Sequence, residues 1–528
     1  MPMSAWQDRA QALAGSPAAT GVAHIASNCP PAAASSAVIC GHSAAVTTRR
    51  MAAGSGTADS VSGRAPGMPA LVRAALLLRT RVLVLELAVP QQAQHYPGLQ
   101  AIFPAAARMQ RAIFDLSGVR ADDADQRPWL RHSAWPEGSR PLSEALRGID
   151  PAALVADNYA FQRVEGEGVH EVPVGPIHAG IIEPGHFRFS IVGEKVLRLE
   201  ARLGYVHKGI ERRFEELGLS EAHRLAARVS GDSAVAFSWA YCQACEALTG
   251  TLVPSRALWL RALCLEIERM QNHLGDLGAL GNDAGFGFAL AQFSRLKEQL
   301  LRVVHFTLGQ RYLLDAVVPG GVAVDITTVG ATALRDCVRM IAAESLGLRN
   351  IYDEHAGVQD RFVGAGHVPP DLARRLGLMG LAGRASGQDL DLRVDQPWPP
   401  YQELGVHRCG QSTGDVAARV AVRFDELQES ARLVERILAQ MPGGPVREPV
   451  PVPAPGAGTL AIGLIEGWRG PTMIALQIDA GGRIVRCHPH DCSWQNWPVL
   501  EHAIIGNIVP DFPLINKSFN LSYSGHDL

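Results

Sequence analysis

The chain lacks an uninterrupted apolar stretch of membrane-spanning length. Its most hydrophobic run, Leu71 to Pro90, carries Arg73, Arg79, Arg81 and Glu86, and those charges exclude a span there. It lacks a charge excess. Lys and Arg number 49 against 52 Asp and Glu, a net charge of -3, which leaves no electrostatic footprint for nucleic acid. The start has no basic segment followed by an apolar core, so no secretory leader is expected. The 9 cysteines are odd in number and scattered, unlike a disulfide framework. No Gly-rich phosphate loop follows a strand. Gly54 to Gly67 is rich in Gly and Ser but has no strand–turn–helix context, so it is a weak nucleotide candidate. These absences predict a cytoplasmic protein that meets a membrane, if at all, through partners.

What is present is ample core material. With 528 residues, 47% hydrophobic and 19% charged, two or more domains are expected. Residues 1–70, rich in Ala, Ser, Gly and Pro, are expected to be poorly ordered. Residues 71–155 read as a small α/β domain: a helix end, a buried strand at Val82 to Val89, a helix from Ala101 to Leu116, and a turn-rich loop from Pro128 to Pro141. The second domain, 156–528, opens with a hairpin, because β-prone runs His186–Val192 and Lys195–Ala201 flank Gly193-Glu194. Helical periodicity then predicts helices at 221–249, 255–276, 288–315, 327–346 and 414–440. Gly443 to Gly458 is a linker, Thr459 to Val485 reads as strands, and the tail shows little periodicity. The fold class is therefore α+β and multidomain: a small N-terminal α/β domain, then a mainly helical domain with short antiparallel sheets.

Five motifs stand in one order. They are Gly175-Pro-Ile-His-Ala-Gly180 with Glu183-Pro-Gly-His-Phe187; Leu203-Gly-Tyr-Val-His-Lys-Gly-Ile-Glu211; Arg228-Val-Ser-Gly-Asp-Ser233; Gly414-Asp415 leading a helix with Arg419, Arg423 and Glu426; and Glu466-Gly-Trp-Arg-Gly470. Together they resemble the large subunit of complex I-related nickel–iron hydrogenases of the formate hydrogenlyase type, and the 49-kilodalton subunit of complex I. Tyr96 to Gly118 is similar to the 30-kilodalton subunit family, with Gln110 at the usual acidic position and Ser117 at the aromatic one. Fusion of the two units in one chain is characteristic of the hydrogenlyase type.

The resemblance implies a site and also a departure from it. In that family, R-x-C-G-x-C and a closing C-x-x-C supply four thiolates to nickel and iron. The matching positions here are Ser230, Ser233, Ser522 and Gly525. Hydroxyls are hard, weak replacements for thiolates, so no resident metal is expected. His178 matches the histidine that reaches a quinone in the complex I relatives and could donate a hydrogen bond to a quinone carbonyl. The tyrosine that accompanies it there falls at Gly231. Arg469 matches the arginine that overhangs the metal, and Arg228 opens the first motif. The alternative for both arginines is a fixed pair with a carboxylate, favoured for Arg228. Glu183, Asp232, His526 and Asp527 are expected to line the former metal cavity, or else to be surface groups on a loose tail. Arg419, Arg423 and Glu426 share one helix face, expected to be solvated or to make interdomain pairs.

Two cysteine sets need weighing. Cys242-Gln-Ala-Cys245 puts both thiols on one helix face, as a metal would require, but small buried cysteines are common and core packing is the expectation. Cys487 and Cys492 with His488 and His490 match no zinc spacing. The sequence therefore predicts an oxidoreductase-complex subunit without nickel–iron chemistry. The resemblance gives it an iron–sulfur small subunit, a ferredoxin-like subunit and membrane subunits as partners, the cluster in the partner, a quinone contact, and a place on the inner face of the cytoplasmic membrane. A non-catalytic assembly scaffold is the competing reading.

Overall fold

Ala70–Leu78 and Arg81–Val89 pair as a hairpin around a two-residue turn. The first of these was expected to be a helix end. All nine of its residues are buried, and a short run buried on both faces satisfies its backbone in a sheet. The computed structural model describes residues 3–15, 36–44, 70–90, 92–132, 135–136, 138–143, 159–180, 182–453 and 459–528. The expected nucleotide candidate, Gly54 to Gly67, lies outside them.

The N-terminal unit begins with α1 (Ser4–Gly15) and β1 (Ser36–Ala44). Within the stretch expected to be poorly ordered, α1 places Trp6 wholly in the core and β1 pairs with the next strand. The hairpin strands are β2 (Ala70–Leu78) and β3 (Arg81–Val89), giving an antiparallel sheet in the order β1-β2-β3. β4 (His95–Tyr96) and β5 (Arg120–Ala121) pair in parallel around α2 (Ala106–Ser117). Gly118 ends α2 at φ 80° and donates to Phe114 O, a left-handed cap that glycine adopts without strain.

The large unit opens with the expected hairpin. β6 (Val169–Val174), β7 (His186–Val192) and β8 (Lys195–Arg202) form one antiparallel sheet. The helix expected at 221–249 is two: after α3 (Ile210–Phe214) come α4 (His223–Ala226) and α5 (Ala234–Thr249), with the 230–233 turn between them. Then follow α6 (Ser255–Asp283), α7 (Gly287–Leu308), the short pair β9 (Val317–Val318) and β10 (Gly321–Val322), and α8 (Thr328–Glu354). Short helices α9 (Ala356–Phe362), α10 (Pro370–Leu376), α11 (Gly380–Ala385), α12 (Leu392–Asp395) and α13 (Tyr401–Leu404) lead into α14 (Val416–Gln440). An antiparallel sheet of β11 (Leu460–Glu466), β12 (Pro471–Ile478) and β13 (Ile484–Asp491) follows. The tail, read as aperiodic, holds α15 (Ser493–Ala503), α16 (Phe512–Phe519) and α17 (Ser524–Asp527). Helix α15 is buried on most sides and shows no single apolar stripe, and α16 and α17 are too short to show a repeating period.

Helix α6 is the axis of this unit and is buried along most of its length, charged residues included. It packs on α7, α14 and α5. The face of α14 expected to be solvated or to make interdomain pairs is wholly buried: Arg419, Arg423 and Glu426 are each 0% exposed, and Arg423 and Glu426 pair with Asp276 and Arg384 of the same unit. No helix of the described residues is long and apolar enough to cross a membrane.

Candidate functional site

The 230 turn and the tail meet although 292 residues separate them. Ser230 Oγ lies 2.9 Å from Ser522 Oγ and donates to Asp232 Oδ1 at 2.7 Å. Ser233 Oγ donates to the same oxygen at 3.1 Å. Gly525 N donates to Ser522 Oγ at 2.8 Å. The four positions singled out in the sequence therefore stand around one point, with three of them as hydroxyls. A Cβ on Gly525 would lie 2.8 Å from Ser522 Oγ and 3.2 Å from Asp491 Oδ2, so the tail closes tightly there.

Three devices hold this point. The turn from Gly467 to Gly470 joins β11 to β12 and presents Arg469. Gly470 (φ 152°) and Gly380 (φ 61°) touch backbone to backbone. A Cβ on Gly380 would lie 2.0 Å from Arg469 O, and one on Gly470 would lie 2.7 Å from Gly380 Cα. Arg469 then donates to Asp232 Oδ2 (2.5 Å), Ser233 Oγ (3.3 Å) and Asn520 O (2.6 Å), and lies 3.6 Å from Asp491. Burial works against the charge of Asp232, but Arg469 and the two serine hydroxyls hold its carboxyl below the usual range. The third device is Glu268 on α6. Its carboxyl accepts from Val235 N (2.6 Å) and Ala236 N (3.2 Å), capping the free N–H groups at the start of α5. Burial, with Asp232 nearby, pushes Glu268 up to about 8.

His178 sits on the loop between β6 and β7, whose base is closed by Gly185 N donating to Pro176 O at 2.9 Å. Its ring faces Phe187 (5.4 Å) and Tyr523 (6.3 Å). Its Nε2 is buried with no partner among the described residues, and burial lowers its pKa. Glu183, on the same loop, is exposed and accepts from Ser524 N at 3.1 Å. The loop therefore rests on the tail.

The remaining predicted residues stand beside this point or away from it. Arg228 turns to the surface and makes a two-pronged pair with Asp315 at 2.6 and 2.8 Å. His526 and Asp527 are not on a loose tail: both are 0% exposed. They bond each other at 2.8 Å, and His526 stacks on Trp494 at 3.9 Å. Cys242, Cys245, Cys487 and Cys492 are buried and free. His488 binds Glu211 and His490 binds Gln495. Sequence reasoning missed Tyr523, Asp491, Ser493 and Glu268. Ser493 accepts from Ser522 N, and Asp491 from Ser493 N. Tyr523 adjoins Ser522 in the closing motif, a signal that was available.

A family model described as "Respiratory-chain NADH dehydrogenase, 49 Kd subunit" matches residues 283–460. The chain is 30% identical over 438 residues to formate hydrogenlyase subunit 5 of Escherichia coli (strain K12), covering 82% of this chain and 77% of that one. It is 30% identical over 450 residues to hydrogenase-4 component G of the same organism, covering 84% of this chain and 78% of the relative. Among solved structures, a chain of the membrane-bound sulfane sulfur reductase, an archaeal respiratory membrane complex, superposes with a TM-score of 0.64 at 25% identity, covering 69% of this chain and 99% of that one.

Proposed function

Because this chain belongs to the family of the complex I 49-kilodalton subunit and the large subunits of related membrane-bound hydrogenases, we propose that it serves such a complex without nickel–iron chemistry. It is a subunit of a complex I-like respiratory membrane complex. The observation that carries the proposal is the donor set where the 230 turn meets the tail. Three hydroxyls and one glycine occupy the four positions, and a guanidinium and a carboxylate lie against them. Nickel of this kind wants soft thiolates, and none of the four positions offers one. The residues present do not fit the metal centre.

The reading keeps a redox role. The subunit would take electrons from a cluster in an iron–sulfur partner, with a ferredoxin-like subunit and membrane subunits completing the assembly. A quinone, when bound, supplies a two-electron acceptor. His178 suits such a contact, because burial favours its neutral form and its Nε2 has no protein partner among the described residues. Arg228, beside Asp315 on the surface, would help seat a partner. A second reading, a non-catalytic scaffold, draws on Arg469: all its polar nitrogens are engaged by protein groups, as a purely structural arginine would be.

Nickel and iron per chain in the complex purified from its native membrane test the proposal. Iron accounted for by the partner clusters, with no nickel, is the expected result. One nickel per chain would overturn it. His178→Ala separates the two readings: a scaffold keeps both assembly and electron transfer, whereas a redox subunit keeps assembly and loses turnover.

A further inference from the structure

Behind the site lies a cluster of charge that never meets solvent. Four carboxylates, Glu266, Asp391, Glu426 and Glu466, and three guanidiniums, Arg269, Arg384 and Arg393, are each no more than 1% exposed. They form one chain of contacts. Asp391 is gripped by Arg393, and Arg393 reaches Glu266 at 3.2 Å. Arg269 lies 3.3 Å from Glu266 and 3.8 Å from Glu426. Arg384 bridges Glu426 at 2.7 Å and Glu466 at 2.8 Å. With every group ionised, one negative charge has no counterpart. An uncompensated buried charge is strongly unfavourable, so a proton is the natural remedy.

Two groups compete for that proton. His273 Nε2 lies 2.9 Å from Glu426, but its Nδ1 is buried with no partner among the described residues. An imidazolium would bury an unpaired N–H there. The carboxylates differ in what they receive. Asp391 has three donors from Arg393. Glu266 has Arg393, Arg269 and the hydroxyls of Tyr401 and Ser430, both at 2.7 Å. Glu426 has Arg384, His273 and Arg269. Glu466 receives Arg384 Nη1 at 2.8 Å and a long contact from Leu392 N at 3.2 Å.

We propose that this cluster is a proton-binding site and that Glu466 carries its one exchangeable proton. The groups facing Glu466 are Arg384 from α11, Asp391 at the start of α12, Arg269 from α6, and Cys492 after β13. Burial holds the Cys492 thiol neutral by pushing it well up. Burial and Asp391 act against the Glu466 charge more than Arg384 and Arg269 relieve it, leaving its carboxyl raised to about 7. Glu466 and Arg469 flank one turn, pinned by Arg269, which donates to Glu466 O (2.7 Å) and Gly467 O (2.9 Å). The turn gives Glu466 to the cluster and Arg469 to the serine-lined site, so charge arriving at the site is felt by the proton. Use of the proton in turnover rests on the function proposed above; its presence does not.

Infrared spectra of the full chain in its native complex, taken from about pH 5 to 9, test this. The wild type should show a protonated-carboxyl signal that fades through neutrality. Glu466→Gln should abolish it, while Glu268→Gln should remove a separate signal that fades near pH 8. Glu466→Asp keeps the charge count and should move the signal, which keeps the assignment testable if the glutamine variant does not fold. The absence of any signal, beyond that of Glu268, that fades through neutrality, or such a signal that survives all changes at Glu466, would overturn the proposal. Nickel content does not enter the measurement, so this inference and the proposed function can fail separately.

Discussion

Asp232 governs the site. It takes hydrogen bonds from Ser230, Ser233 and Arg469, and its carbonyl takes one from Asn272 at 2.8 Å. Asp232→Asn would leave the buried Arg469 with Asp491 at 3.6 Å as its nearest carboxylate. Because Asp232 itself is 36% exposed, the cost falls below that of a fully buried pair, about 1–3 kcal/mol. Thermal unfolding reads it directly, and a variant as stable as wild type would deny the pair its role. The same variant should lower the pKa of Glu268 from about 8, because a negative neighbour is removed. His178 makes the contrasting prediction. Its substitution by Ala removes a ring whose Nε2 binds nothing among the described residues, so stability should change little while any quinone-linked turnover falls.

Among the elements, α6 and α14 dominate, and they also show where sequence was readable. The hairpin at β7–β8 and the long helices follow from periodicity and turn residues, since one apolar face suffices to reveal them. The charged face of α14 was seen as a face but read as solvated or paired across domains. Sequence spacing places Arg419, Arg423 and Glu426 together; it does not say that α6 and α11 meet them with acids and bases of their own. The tail was harder still, because α15 is buried on most sides and has no stripe, and α16 and α17 are short. The four key positions were legible as a motif, whereas Glu268 and Asp491 come from elements whose nearness is purely tertiary. Asp276 on α6 gives an acid test of this packing. Arg423 at 2.9 Å and Lys517 at 3.4 Å outweigh burial and draw its carboxyl down to about 2. A depressed carboxyl adds stability above its unfolded pKa, near 3.8, which is lost as pH falls through about 2. Asp276→Asn should therefore lose stability at neutral pH and flatten the acid limb of the curve. Where α5 crosses β11, Gly463 is required: a Cβ would lie 1.8 Å from Ala240 O. Gly463→Ala should cost at least the roughly 1–3 kcal/mol typical of overpacking, seen as a lower melting temperature.

Across the whole molecule, the two units are joined by buried polar contacts centred on Trp129. That ring is 1% exposed. Arg108 and Arg111 lie over it at 4.6 and 4.9 Å, and His526 of the tail meets its edge at 5.6 Å. Arg108 also pairs with Glu501 at 2.6 Å, and Glu501 accepts from Ala201 N at the same distance. Arg202, at the end of β8 and 0% exposed, donates to the carbonyls of Pro128, Trp129 and Arg131. These contacts tie α2, the 128–131 loop, β8 and α15 into one network, so the chain should unfold in a single calorimetric transition. Two well-separated transitions in the wild type would refute that coupling. Arg202→Met keeps the apolar stem but leaves three carbonyls short of a donor, at about 1 kcal/mol each. The N-terminal unit should then melt ahead of the rest and split the transition. The 230 turn belongs to the large unit and meets this network only through the tail, so it should keep its protection from hydrogen exchange until the second step.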